Sequence, residues 1–128
     1  AQLVQNIDYA PTFLEMADLA APDEIQGVSL VPLLRGEKPT NWRKSIYYHY
    51  YDCPAKHRVE CHEGVRTEQY KLISFYRPGD WELYDLAKDP HEMHSVHADP
   101  GYAETLSQMK DELARLKKQH GLPEDPAK

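Results

Sequence analysis

His62, Gly64 and Arg66 form the pattern in this chain best suited to holding a ligand. Alternate residues of a strand share a face, so an imidazole and a guanidinium would flank a glycine that lets a ligand approach. The planar guanidinium fork matches two oxygens of a carboxylate or sulfate-like group. Arg66 has a structural alternative, an ion pair with Glu68, Glu82 or Asp85, and His62 has one in packing. Both alternatives stay open at this point.

A second cluster, Cys53, His57, Cys61 and His62, offers ligands that zinc favours. Cys61 and His62 are adjacent, however, and strand neighbours point to opposite faces. Unrelated histidines and two free thiols are the expected reading, although a hairpin could bring Cys53 and Cys61 face to face. His91, His94 and His97 recur at every third position, between Asp89-Pro90 and Asp99-Pro100, which fits a solvated connection, with a weak metal or pH-sensitive patch as the alternative. The block Ile46 to Tyr51 alternates tyrosines on two faces. One set should be core, and the other could pack under a second layer or stack on sugar rings. No Gly-x-Ser-x-Gly, phosphate loop or His-Glu-x-x-His is present, so no catalytic residue is assigned. The carboxylates are expected on solvated helix faces and turns.

These residues need elements to position them. Residues 1–20 carry a helical apolar stripe at Ile7, Phe13, Leu14, Ala17 and Ala20, capped by Asn6 or Asp8, with Pro11 in the first turn and a stop at Ala21-Pro22-Asp23. Val28, Leu30, Val31, Leu33 and Leu34 make an apolar plug in an otherwise connecting stretch. Strands are expected from 46 to 51, 62 to 67, 70 to 76 and 81 to 85. Only Glu68-Gln69 separates the middle two, a tight hairpin without the usual Asn-Gly. Asp99 and Pro100 then open a helix in which Tyr102, Leu106, Met109, Leu113 and Leu116 form one stripe, and Gly121 closes it. The fold class is α+β: an antiparallel sheet of about four strands packed by a C-terminal amphipathic helix.

The chain has 128 residues and a formal charge of −6, from 15 Lys and Arg against 21 Asp and Glu. That balance offers no broad field for polyanions, so nucleic acid is not an expected partner. No apolar run reaches membrane-spanning length, and no charged-then-apolar leader opens the chain.

Four blocks, in this order, resemble the C-terminal region of the formylglycine-dependent sulfatases. They are Asn6 to Glu15, Gly27 to Gly36 with its Ser-Leu-x-Pro-Leu-Leu run, Gly64 to Ile73, and Glu82 to Glu92. Ser95 departs from the asparagine usual after Asp-Pro-x-Glu. The aromatic strand, His57-Arg58-Val59, His62 and Trp81 to Tyr84 are most similar to bacterial sulfatases acting on sulfated sugars. The resemblance implies that residues 1–44 end an α/β catalytic domain, 45–121 form the C-terminal subdomain and 122–128 a frayed tail. It implies a sulfated sugar substrate met by His62 first, then His57 and Arg66, and a periplasmic or extracellular location. The family's nucleophile, a formylglycine made within Cys/Ser-x-Pro-x-Arg, and its calcium ligands have no counterpart in this sequence, so both cofactors are expected in the upstream domain. The isolated piece is expected to be inactive and prone to oligomerise. Rival readings are a stand-alone binding module, zinc-dependent through the Cys53 to His62 cluster, and a fragment of a related phosphatase or phosphonate hydrolase.

Overall fold

The computed structural model describes residues 2–50, 59–76 and 80–123. His57 and Cys53 lie outside the described residues. The chain forms two compact units, Ala1–Lys44 and Ser45–Lys128.

The first unit is organised around a buried carboxylate. A 3-10 turn, Asn6–Asp8, runs into helix α1, Tyr9–Met16. Asp8 is fully buried, which corrects the expectation that carboxylates sit on solvated turns. Arg43 donates to both of its oxygens, Nη1 at 2.8 Å and Nη2 at 2.7 Å. The amides of Gln5 and Val28 donate to the same carboxylate at 2.7 and 3.0 Å. Burial alone would raise this carboxyl, but the Arg43 hydrogen bonds and the two amides outweigh it and hold it below the usual value. Helix α1 is shorter than its apolar stripe suggested. Asp18 adopts a left-handed conformation (φ 57°), and the Leu19 amide turns back to the Leu14 carbonyl at 2.9 Å. Aspartate tolerates that conformation, so the chain stops there rather than at Ala21-Pro22. The apolar plug yields a single helical turn, α2, Val31–Leu34. Val31 is buried, whereas Leu34 is 66% exposed, as is Phe13 of α1.

The second unit is a four-stranded antiparallel meander, β1 Ser45–Tyr50, β2 His62–Thr67, β3 Tyr70–Phe75 and β4 Trp81–Asp85, in the order β1-β2-β3-β4. The β2–β3 turn works without glycine because Thr67 closes it. The Tyr70 amide donates to Thr67 Oγ1 at 2.9 Å, and the Thr67 hydroxyl donates to the Tyr70 carbonyl at 3.2 Å. After the last strand, Ser95 accepts from the Leu83 amide at 3.1 Å, so the serine supplies a side-chain acceptor where the resembled pattern has asparagine. Asp99 caps a 3-10 turn, Pro100–Tyr102, which continues as helix α3, Ala103–Gln119. Gly121 (φ 63°) lets the Leu122 amide return to the Lys117 carbonyl, as expected for a glycine-closed helix.

Helix α3 covers one face of the sheet. Val65, Leu72 and Leu83 are fully buried against Met109, Leu113 and Leu116, with Tyr47, Trp81 and Leu106 at the margin. This is the predicted stripe meeting alternate strand residues, each side chain removed from water contributing about 1.5–3 kcal/mol. Two carboxylates lie under the same helix. Glu63 receives Lys117 Nζ at 2.5 Å and the Tyr47 hydroxyl at 2.8 Å. Asp85 receives the Tyr102 hydroxyl at 2.9 Å. Among the described residues, no helix is long and apolar enough to cross a membrane.

Candidate functional site

The register aligns three rows of side chains on the sheet face away from α3. Tyr50, His62 and Phe75 form the first, Tyr48, Gly64, Ile73 and Glu82 the second, and Ile46, Arg66, Lys71 and Tyr84 the third. His62 and Arg66 therefore do share a face, as the strand alternation predicts. They stand four residues apart, roughly 13 Å along the strand, too far for one chemical group to touch both.

The space at Gly64 is not open to a ligand. A Cβ there would overlap the Tyr48 hydroxyl and the Leu72 carbonyl oxygen. The glycine is needed because the Tyr48 ring lies across it, which corrects the expectation of a ligand approach at this point. The Tyr48 hydroxyl is buried and, among the described residues, has no hydrogen-bond partner. Burial, then the charges of Glu92 and Glu82, push its ionisation upward, so it stays protonated.

Arg66 belongs to a charge cluster that sequence spacing did not reveal. Glu92, reaching in from the connection after β4, pairs with Lys71 and lies 3.7 Å from Arg66 Nη1. None of the three acids proposed as Arg66 partners is its partner here. Glu92 reaches both cations from a left-handed backbone (φ 56°), and Asp89 braces that turn by accepting from the Met93 and His94 amides at 2.7 and 2.8 Å. Glu82 accepts from the Tyr84 hydroxyl at 2.8 Å, and burial together with this contact pushes Tyr84 up to about 12. Arg66 and Lys71 against Glu92 and Glu82 leave no surplus positive charge in the cluster. Arg66 nevertheless keeps a side chain 41% exposed.

His62 sits in an aromatic corner. The Tyr50 ring stacks on it at 5.3 Å and 9°, with Phe75 at 5.6 Å and Tyr48 at 6.0 Å in tilted and edge arrangements. Its Nδ1 lies 2.8 Å from the Glu60 carbonyl. A carbonyl only accepts, so Nδ1 carries the proton. The sequence marks Tyr48 and Tyr50 only as one alternating set of tyrosines, and nothing local in it marks Lys71 and Glu92 as their neighbours. Only the β1–β2–β3 register joins them, and that register is long-range information.

Cys61 is disulfide-bonded, not the free thiol expected, so it cannot supply a thiolate to zinc. The described residues contain no group of three or more His, Cys, Asp or Glu able to hold a metal. His91, His94 and His97 are all exposed.

A family model described as N-sulphoglucosamine sulphohydrolase, C-terminal, matches residues 1–119. The N-acetylglucosamine-6-O-sulfatase of Bacteroides thetaiotaomicron is 45% identical over 118 residues, covering 90% of this chain and 21% of that protein. A solved protein in complex with its substrate, D-glucosamine-2-N,6-O-disulfate, superposes with a TM-score of 0.87 at 41% identity, covering 94% of this chain and 25% of the other. The phosphonate monoester hydrolase of Agrobacterium radiobacter gives a TM-score of 0.76 at 30% identity, covering 93% and 26%. This chain thus spans about a fifth of the length of the curated relative and a quarter of the solved chains.

Proposed function

The chain belongs to the N-sulphoglucosamine sulphohydrolase C-terminal family, and on that premise we propose that it is the C-terminal portion of a sulfatase acting on sulfated carbohydrate. It completes the enzyme's fold, and its sheet face away from α3 supplies part of the substrate wall. The observation that carries this reading is the His62 corner, an imidazole fixed among aromatic rings of the kind that stack on sugars. His62 is the foremost contact. Arg66 stands further along the same wall, and His57 is retained from the sequence alone.

Calcium and formylglycine do not fit this chain's own residues. The sequence has no Cys/Ser-x-Pro-x-Arg, and the described acids are engaged in structural pairs or scattered. Both belong to an upstream α/β catalytic domain, of which residues 1–44 are the end. Phe13, Met16, Leu19 and Leu34, all exposed in the first unit, are the surface it would bury. The disulfide at Cys61 supports an oxidising, periplasmic or extracellular location.

The test uses the full-length enzyme with 6-O-sulfated N-acetylglucosamine. Sulfate release is expected, and His62→Ala should raise KM by about tenfold while changing kcat less. Hydrolysis of phosphonate esters with no sulfate release would favour the phosphonate hydrolase reading. The isolated 128-residue chain should turn over no aryl sulfate and should elute as an oligomer from a sizing column.

A further inference from the structure

From the ring orientation we infer that His62 reads an uncharged hydroxyl of the sugar, with Nε2 as the hydrogen-bond acceptor, and does not hold a sulfate. This rests on the proposed substrate wall and specifies what one residue of it recognises.

The chemistry follows from the partner of the other nitrogen. Because Nδ1–H donates to the Glu60 carbonyl at 2.8 Å, the uncharged ring carries its lone pair on Nε2. Among the described residues Nε2 has no hydrogen-bond partner. Facing that neutral tautomer, a sulfate, which offers only acceptor oxygens, would set lone pair against lone pair. A sugar hydroxyl donates its proton and fits. Tyr50 stacked at 9°, with Phe75 and Tyr48 against the ring, keeps the imidazole from turning to exchange its nitrogens. The cations on the same face, Arg66 and Lys71, lie in another row and share Glu92, so they bring no anion towards this corner. His62 is thus a specificity-determining contact for the unsulfated part of the sugar.

Monodeoxy analogues of the sulfated sugar, compared one at a time in the full-length enzyme, test the assignment. In the wild type one analogue should lose about tenfold in kcat/KM, the worth of one accepted hydrogen bond. That loss should vanish in His62→Ala and persist in part in His62→Gln, whose amide oxygen can reach the Nε2 position. Independently of any variant's folding, a nitrogen–proton correlation spectrum of histidine-labelled wild-type enzyme should place the proton of the neutral His62 ring on Nδ1 and none on Nε2. A proton on Nε2, or a His62→Ala loss that is equal on every analogue, overturns the acceptor assignment and leaves the wall intact. Wild-type kcat/KM in His62→Ala on all substrates overturns both.

Discussion

The two faces of one sheet are built from alternate residues of the same four strands, yet they are held together differently. Under α3, apolar side chains close on one another and the charges are buried against partners of opposite charge, as between Glu63 and Lys117. On the other face, aromatic rings and a shared acid take that place: Tyr50 on His62, Tyr48 over Gly64, and Glu92 between Lys71 and Arg66. The first arrangement stabilises the fold. The second fixes side-chain directions and leaves an imidazole nitrogen and a guanidinium edge available. Strand alternation thus lets a small unit separate an apolar core from a polar and aromatic face without a separate layer for each.

Four experiments would break or sharpen that contrast. Lys117→Met should be the most damaging, because it leaves Glu63 buried without its counter-ion; about 3–5 kcal/mol should be lost in urea unfolding. Adding Glu63→Gln should recover much of it, and failure to do so would mean the pair is not what the helix side depends on. Leu113→Ala should cost about 3 kcal/mol by opening a cavity between α3 and the sheet, with no effect on substrate affinity in the full-length enzyme. On the other face, Gly64→Ala should cost about 1–3 kcal/mol, since the Tyr48 ring and the Leu72 carbonyl both obstruct the new methyl. Tyr48→Phe, made alone, should be neutral or slightly stabilising in the same assay, because the hydroxyl it removes is buried without a partner among the described residues.

Changing pH should act on the faces with opposite sign. Burial would raise Asp85, but the Tyr102 hydroxyl and Gln69 outweigh it and hold it below the usual carboxylate value. Its contribution is therefore complete above the ordinary carboxylate range and fades as pH falls through the depressed value. Tyr84, raised to about 12, contributes fully below the ordinary tyrosine range, and that contribution is lost as pH rises towards 12. Urea titrations of wild type, Asp85→Asn and Tyr84→Phe at both extremes would separate these two limbs.

How much of this the sequence carried depends on the range of the interaction. Leu106, Met109, Leu113 and Leu116 declared their common face by helical spacing, and Val65, Leu72 and Leu83 are strand residues that spacing alone brings under it. The strands and their class followed from the same local pattern. What escaped were contacts between distant residues: Asp8 with Arg43, Glu63 with Lys117, Glu92 with Arg66 and Lys71. A carboxylate's burial depends on a cation tens of residues away, and no local period announces it. The shared face of His62 and Arg66 was legible because it needs only alternation. The closure of Gly64 by Tyr48 was not, because it needs the register between two strands.

The Asp8–Arg43 clasp joins the two ends of the first unit across 35 positions. A shortened version of the protein must therefore start before Asp8 or after Arg43. A start between them would remove one half of the clasp and leave the other charge without its mate.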